Sequence, residues 1–284
     1  MQQTITLIAE PGGDAALTGV AGTLGRVDWL APGRACDIVW TADSEAAARA
    51  AIAGLPIDLL VQPAAGRRKR LLVADLESTI IENEMLEELA DFLGLRAPVA
   101  EITRRAMNGE TDFVGALTER VALLRGLPVT VLDEAASRIR LTPGAAELIA
   151  TLRRAGVTTA LVSGGFTVFA EPIAARLGFD RVVANRLELA DGKLAGTVAP
   201  PIIGAAAKRA TLLALAAELG LELQDTMAVG DGANDLPMLQ TAGLGVAFRA
   251  KPAVATTARW RVDHAGLTAL LYAQGYRQEE IVGS

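Results

Sequence analysis

Leu71-Leu72-Val73-Ala74-Asp75-Leu76-Glu77-Ser78-Thr79, residues 71–79, reads as an apolar run that stops abruptly at two carboxylates and a hydroxyl pair. Four apolar residues without polar alternation predict a strand covered on both faces, the pattern of a central parallel strand. Ligands of open parallel sheets bind just beyond the carboxyl ends of the strands, and Asp75 falls there. By itself Asp75 fits a helix cap as well as a nucleophile or a metal ligand.

Two later stretches repeat the pattern. Residues 157–165, VTTALVSGG, run from an apolar strand into Ser163, Gly164 and Gly165, where backbone N–H groups could meet an anion at the next helix. Residues 226–235, TMAVGDGAND, do so again and add Asp231 and Asp235. Three strand ends then gather a carboxylate, a hydroxyl with exposed amides and a second acidic cluster. That set suits a phosphate and a metal ion together.

In order, Asp75 with Glu77 and Thr79, then Ser163, then Lys208, then GDGAND at 230–235 resemble the four motifs of the haloacid dehalogenase superfamily. ENE ending at Glu84, AMNGETDF with Met107 and Phe113, TERV with Arg120, SGGF, ANRLELADGKLAG and VGDGANDLPML narrow the resemblance to its phosphoserine phosphatase branch, over about residues 70–284. One position departs: the branch has Asp two residues after the nucleophile, and this chain has Glu77.

The resemblance implies an α/β fold: a Rossmann-like core with a parallel sheet, a helical cap inserted after the first catalytic strand at about residues 83–141, and a phosphatase domain over 67–284. It implies Asp75 as nucleophile and Glu77 as general acid and base, with Mg2+ held by Asp75, Asp231 and the main-chain carbonyl of Glu77. Ser163, Gly164 and Lys208 would hold the transferring group, and Asn234 would orient it. Glu84 would meet the ammonium and Arg120 the carboxylate of O-phosphoserine. Met107 and Phe113 would line the pocket, with Thr79, Gly165 and Asp235 in support. The implied role is the last step of serine biosynthesis. Phosphotransfer to a small hydroxyl acceptor such as homoserine, and an impaired site that serves ligand sensing, stay open beside it.

Residues 1–66 alternate strand-like and alanine-rich helical stretches (TITLIAE, DAALTGVAGTLG, CDIVWT, SEAAARAAIAGL, DLLVQP) and resemble a ferredoxin-like, ACT-like α+β module. Its expected role is packing or formation of a homodimer. PAAGRRKR at 63–70 reads as a solvated linker. Beyond the cap, helix and strand alternate until 187–198, where Asp191-Gly192 between short apolar runs predicts a β-hairpin flap near the site. Leu244–Phe248 and Trp260–Val262 are expected to complete the sheet.

Of 284 residues 51% are hydrophobic, enough for a sizeable core. A net charge of −6 argues against general nucleic-acid binding. The single cysteine, Cys36, cannot form an internal disulfide, and the single histidine, His264, excludes a histidine-cluster metal site and suits a turn. No apolar run approaches the ~20 residues that span a bilayer. The expectation is a cytoplasmic protein acting on a small molecule, with neither membrane nor nucleic acid as partner.

Overall fold

The computed structural model describes residues 2–39 and 44–283. The amino-terminal part runs β1 (Gln3–Ala9), α1 (Asp14–Ala21), β2 (Val27–Ala31), β3 (Ala35–Val39), α2 (Ser44–Ala51) and β4 (Ile57–Pro63), in the antiparallel order β2-β3-β1-β4. This is the ferredoxin-like β-α-β-β-α-β arrangement. Trp40 and Thr41, at the end of the expected CDIVWT strand, lie outside the described residues.

Successive strand residues point to opposite faces, and β1 is buried on both. Ile5, Leu7 and Ala9 pack with Leu17 and Ala21 of α1 and Ala48 of α2. Ile8, with Leu30 and Leu60, joins the core that contains Leu270 and Tyr272.

The stretch expected to be a solvated linker is fastened into this seam. Arg67 reaches Asp37 Oδ2 at 2.5 Å and donates to Thr6 Oγ1 at 2.9 Å and to the carbonyls of Tyr272 and Ala273. Lys69 is buried, its Nζ donating to the carbonyls of Gly66 and Gln224. Arg68 covers the Tyr276 ring and pairs with Glu280. Arg67 and Lys69 stay largely out of water because acceptors from distant parts of the chain replace it, while Arg68 stays exposed.

The rest of the chain is organised on β5 (Leu71–Ala74). Helices α3 (Met85–Asp91), α4 (Arg96–Met107), α5 (Phe113–Leu123) and α6 (Val131–Ser137) follow it as the cap. Then come α7 (Ala145–Arg154), β6 (Thr158–Phe166), α8 (Thr167–Leu177), β7 (Arg181–Ala190), β8 (Lys193–Ala199) and α9 (Ala205–Glu218). The chain closes with β9 (Thr226–Gly230), α10 (Leu236–Thr241), β10 (Leu244–Phe248), α11 (Pro252–Thr257), β11 (Trp260–Val262) and α12 (Ala269–Ala273). No described helix is long and apolar enough to cross a membrane.

The large sheet has the order β11-β10-β9-β5-β6-β7-β8, and only its β7–β8 pair is antiparallel. Ala74 lies opposite Val229 of β9 and Leu161 of β6. This register sets Asp75, Asp231 and Ser163 within a residue of one another toward the carboxyl ends of three adjacent central strands.

The hairpin differs from expectation in one respect: β7 is a single strand that leaves β6 and continues into the pair with β8. Its turn, Asp191-Gly192, has both φ angles positive (50° and 71°), as a two-residue hairpin turn requires. The hairpin grips the cap: Gly126 N donates to Leu194 O, Leu194 N to Leu127 O and Val129 N to Gly192 O, each at 2.9 Å.

Candidate active site

After β5 the chain makes a tight turn over Leu76–Ile80, with Glu77 extended and Ser78 left-handed at φ 53°. That turn brings the carboxylates of Asp75 and Glu77 into one cavity. Helix α3 begins only at Met85.

Asp75 is buried, and its Oδ1 lies 2.6 Å from Lys208 Nζ. Lys208, on the first turn of α9 and fully buried, also donates to Asp235 Oδ1 at 2.7 Å. Burial works against the Lys208 charge, but Asp235 and Asp75 outweigh it and raise its pKa. An ammonium has three donors, and the hydrogen bond to Asp235 uses one of them, so donor capacity remains for a phosphate oxygen. Burial, with Asp235 adding to it and Lys208 opposing it, pushes Asp75 up to about 7.

Carboxylate oxygens of Asp75, Asp231 and Asp235 lie within 4.8 Å of one another. Burial, then Glu84, holds Asp231 well above the ordinary carboxylate range. The buried Asp231 Oδ2, Asn234 Oδ1 and Thr79 Oγ1 accept no hydrogen bond. Oxygen-only donors with lone pairs left over fit a hard divalent cation. Asp235 joins the pair Asp75 and Asp231 in this cluster, and it also accepts from Gly232 N at 3.1 Å.

Glu77 is partly buried, and its Oε1 accepts from Met85 N at 2.8 Å, the first residue of the cap helix α3. Its Oε2 lies against Gly165, where a Cβ would come within 2.7 Å. Burial first and Glu84 second push its carboxyl up to about 8, so near neutral pH it carries a proton to give. Two carboxyl groups with different neighbours suit a nucleophile beside an acid.

Glu84, Met107, Phe113, Arg120, Gly164 and Asn234 line the same cavity. Glu84 Oε1 accepts from Ser78 Oγ at 2.6 Å. Arg120 is buried on α5, with Nη1 on Thr103 Oγ1 at 2.9 Å and Nε on Ala116 O. Burial lowers its pKa, opposed by Glu77 and Glu84. Phe113 lies so close to Gly164 that a Cβ there would be 2.7 Å from its ring. The cavity thus lies between the cap, which supplies Met107, Phe113 and Arg120, and the strand ends of the core, which supply Asp75, Gly164 and Asp231.

Ser163 and Gly165 are placed differently from expectation. Strand β6 continues through Phe166, and Gly165 N donates to the buried Ser163 Oγ at 2.9 Å instead of standing free at a helix start. The sequence reading missed Lys251, whose Nζ lies 3.4 Å from Asp231 Oδ2. Its only signal is its place in AFRAKP, directly after the strand beside β9.

Residues 72–240 match the haloacid dehalogenase-like hydrolase family. The chain is 45% identical over 235 residues to a phosphoserine phosphatase of Streptomyces coelicolor, covering 83% of this chain and 57% of that protein. It is 46% identical over 199 residues to a phosphoserine phosphatase of Streptococcus thermophilus, covering 70% of this chain and 93% of that one. A crystal structure of a haloacid dehalogenase family hydrolase from Salmonella enterica serovar Typhi superposes with a TM-score of 0.82 at 30% identity, over 96% of this chain and 98% of that one. The chain spans little more than half the length of the Streptomyces coelicolor relative.

Proposed function

The chain belongs to the haloacid dehalogenase-like hydrolases, and on that premise we propose that it hydrolyses O-phosphoserine to serine and phosphate through an aspartyl-phosphate on Asp75, with Mg2+ as cofactor. The observation that carries this reading is the composition of one cavity. Glu84 and Arg120 share it with Asp75, Glu77 and Asp231. A carboxylate suits an ammonium, a guanidinium suits a carboxylate, and an acidic cluster with a buried lysine suits a metal-bound phosphate.

In the first step an Asp75 carboxylate oxygen attacks phosphorus and the bond from phosphorus to the serine oxygen breaks. Glu77 gives that oxygen its proton. In the second step water attacks the same phosphorus and releases Asp75, while Glu77 takes the proton of the water. Lys208 holds Asp75 in place and draws it toward its ionised form against burial. Asp75, Asp231 and the Glu77 carbonyl would hold Mg2+, which when bound offsets the negative charge of the phosphoryl oxygens. The cap excludes water while the first bond breaks.

The Met85 N–H that holds Glu77 favours a working acid over an impaired site. The reading includes a cytoplasmic setting and a homodimer. The β2 edge of the small sheet has no strand neighbour among the described residues and is where a second copy would pair. Light scattering of the full chain tests the dimer.

Phosphate release from a panel of phosphomonoesters, with and without Mg2+, tests the function. The expected result is a preference for O-phosphoserine that disappears without the metal and in Asp75→Asn. Equal release from phosphomonoesters lacking the amino-acid groups overturns the substrate, and near-parental release by Asp75→Asn overturns the mechanism.

A further inference from the structure

Lys251 ends the loop that follows β10, beside the strand that delivers Asp231. Its backbone is held on both sides. Lys251 N donates to Asp231 O at 3.0 Å, and α11 starts at the next residue, Pro252. Arg249, two residues earlier, adopts a left-handed φ of 43°, with its N–H on Val262 O and its guanidinium on the carbonyls of His264 and Ala265. A lysine on a loop tied down in this way is not a freely solvated one. Its side chain is 33% exposed, and its Nζ lies 3.4 Å from Asp231 Oδ2, an oxygen that accepts no hydrogen bond. Burial works against its charge, but Asp231 and then Glu84 outweigh it, with Glu87 adding to them. The ammonium is thus paired with a carboxylate of the core and also feels two carboxylates at the start of α3.

We propose that Lys251 is a positioning residue that sets the affinity of the site for its divalent cation, by competing with that ion for the carboxylate of Asp231. The inference rests on the metal-site reading given above. A unit charge a few ångströms from a doubly charged ion opposes its binding even under strong screening. The same ammonium offsets the repulsion among Asp231, Glu84 and Glu87 while no metal is bound. An ion entering the site displaces the ammonium toward solvent, which its partial exposure permits.

Calorimetric titration of Mg2+ into metal-free, full-length protein without substrate tests this. Lys251→Met is expected to bind Mg2+ on the order of tenfold more tightly than the parent, and Lys251→Arg close to the parent. The rise in melting temperature on adding saturating Mg2+ is expected to be larger for Lys251→Met, since the metal-free variant has lost its offsetting charge. Unchanged or weaker Mg2+ binding by a folded Lys251→Met overturns the inference and leaves the metal site standing. Equal tightening by Lys251→Arg overturns it too, because charge would then not be the cause. Absence of Mg2+ binding by the parent overturns the metal-site reading and this inference with it.

Discussion

Glu77, the acid of the proposed reaction, is one methylene longer than the Asp that the branch resemblance implies there, and two residues accommodate its carboxyl. An extra carbon adds roughly 1.5 Å of reach. Gly165 leaves room for Glu77 Oε2, and Met85 N holds Oε1. Glu77→Gln keeps the shape and loses the transferable proton, so turnover is expected to fall by roughly 10² or more with Mg2+ affinity near that of the parent. Single-turnover kinetics check this, and parental rates would require another proton carrier. Gly165→Ala places a methyl 2.7 Å from Glu77 Oε2. Displacing the acid by about 1 Å costs ~10²-fold in rate, and Glu77→Asp in the same background is expected to recover part of the loss. A Gly165→Ala enzyme with parental kcat would show that the carboxylate does not need this space.

At the scale of elements, the cap is joined to the core through the β7–β8 hairpin as well as through its own chain ends. Residues 126–129 exchange three backbone hydrogen bonds with residues 192–194. Gly196 of β8 permits this contact, with φ 78° and a Cβ position 2.8 Å from Arg125 Cβ. Gly196→Ala is expected to cost about 1–2 kcal/mol in urea unfolding and to raise KM for the substrate, since the cap would seat less firmly. Unchanged stability would mean that the hairpin and cap do not depend on each other. The turn itself was legible, because Asp-Gly between apolar runs is a local signal. The continuity of β7 was not, because Asn185 looks like a polar break. Its side chain instead donates to Gly164 O and accepts from Ile203 N across the fold.

At the scale of the molecule, the amino-terminal sheet and the large sheet are clasped by Asp58. This buried carboxylate of β4 accepts from the N–H groups of Asp263, His264 and Ala265 at 2.7, 3.2 and 2.8 Å. Asp58→Ala strands three donors at the seam and is expected to cost about 3 kcal/mol, read by urea unfolding. A loss within experimental error would show that the seam does not rely on this clasp. A second whole-molecule expectation concerns pH. Asp75 and Glu77 are raised to about 7 and about 8, and Asp231 is raised as well. A carboxyl with a raised folded pKa favours the protonated folded form, so its contribution is full below the ordinary carboxylate range and is lost as pH rises through the folded value. The melting temperature of chelator-treated protein is therefore expected to fall from the ordinary carboxylate range, about pH 4, up to about pH 8 and to level off above it, with saturating Mg2+ reducing that slope. A flat chelated profile would show that the acidic cluster carries no such strain.

Locally written features were determined by the sequence alone: the unalternating strand at 71–74, the strand-to-polar turn at Asp231, the helical period of the cap and the glycine turn of the hairpin. Each depends on residues within a few positions of one another, where backbone geometry and apolar spacing act directly. The tertiary structure alone decided what the polar side chains do. Arg67 reads as solvated until the carbonyls of Tyr272 and Ala273 arrive from the far end of the chain. Asp58 meets the N–H groups of residues 263–265 only across the fold, and Lys251 meets Asp231 only because β9 sets it there. A charged group is stable in water or buried against a partner, and which of the two holds depends on atoms that only folding brings near.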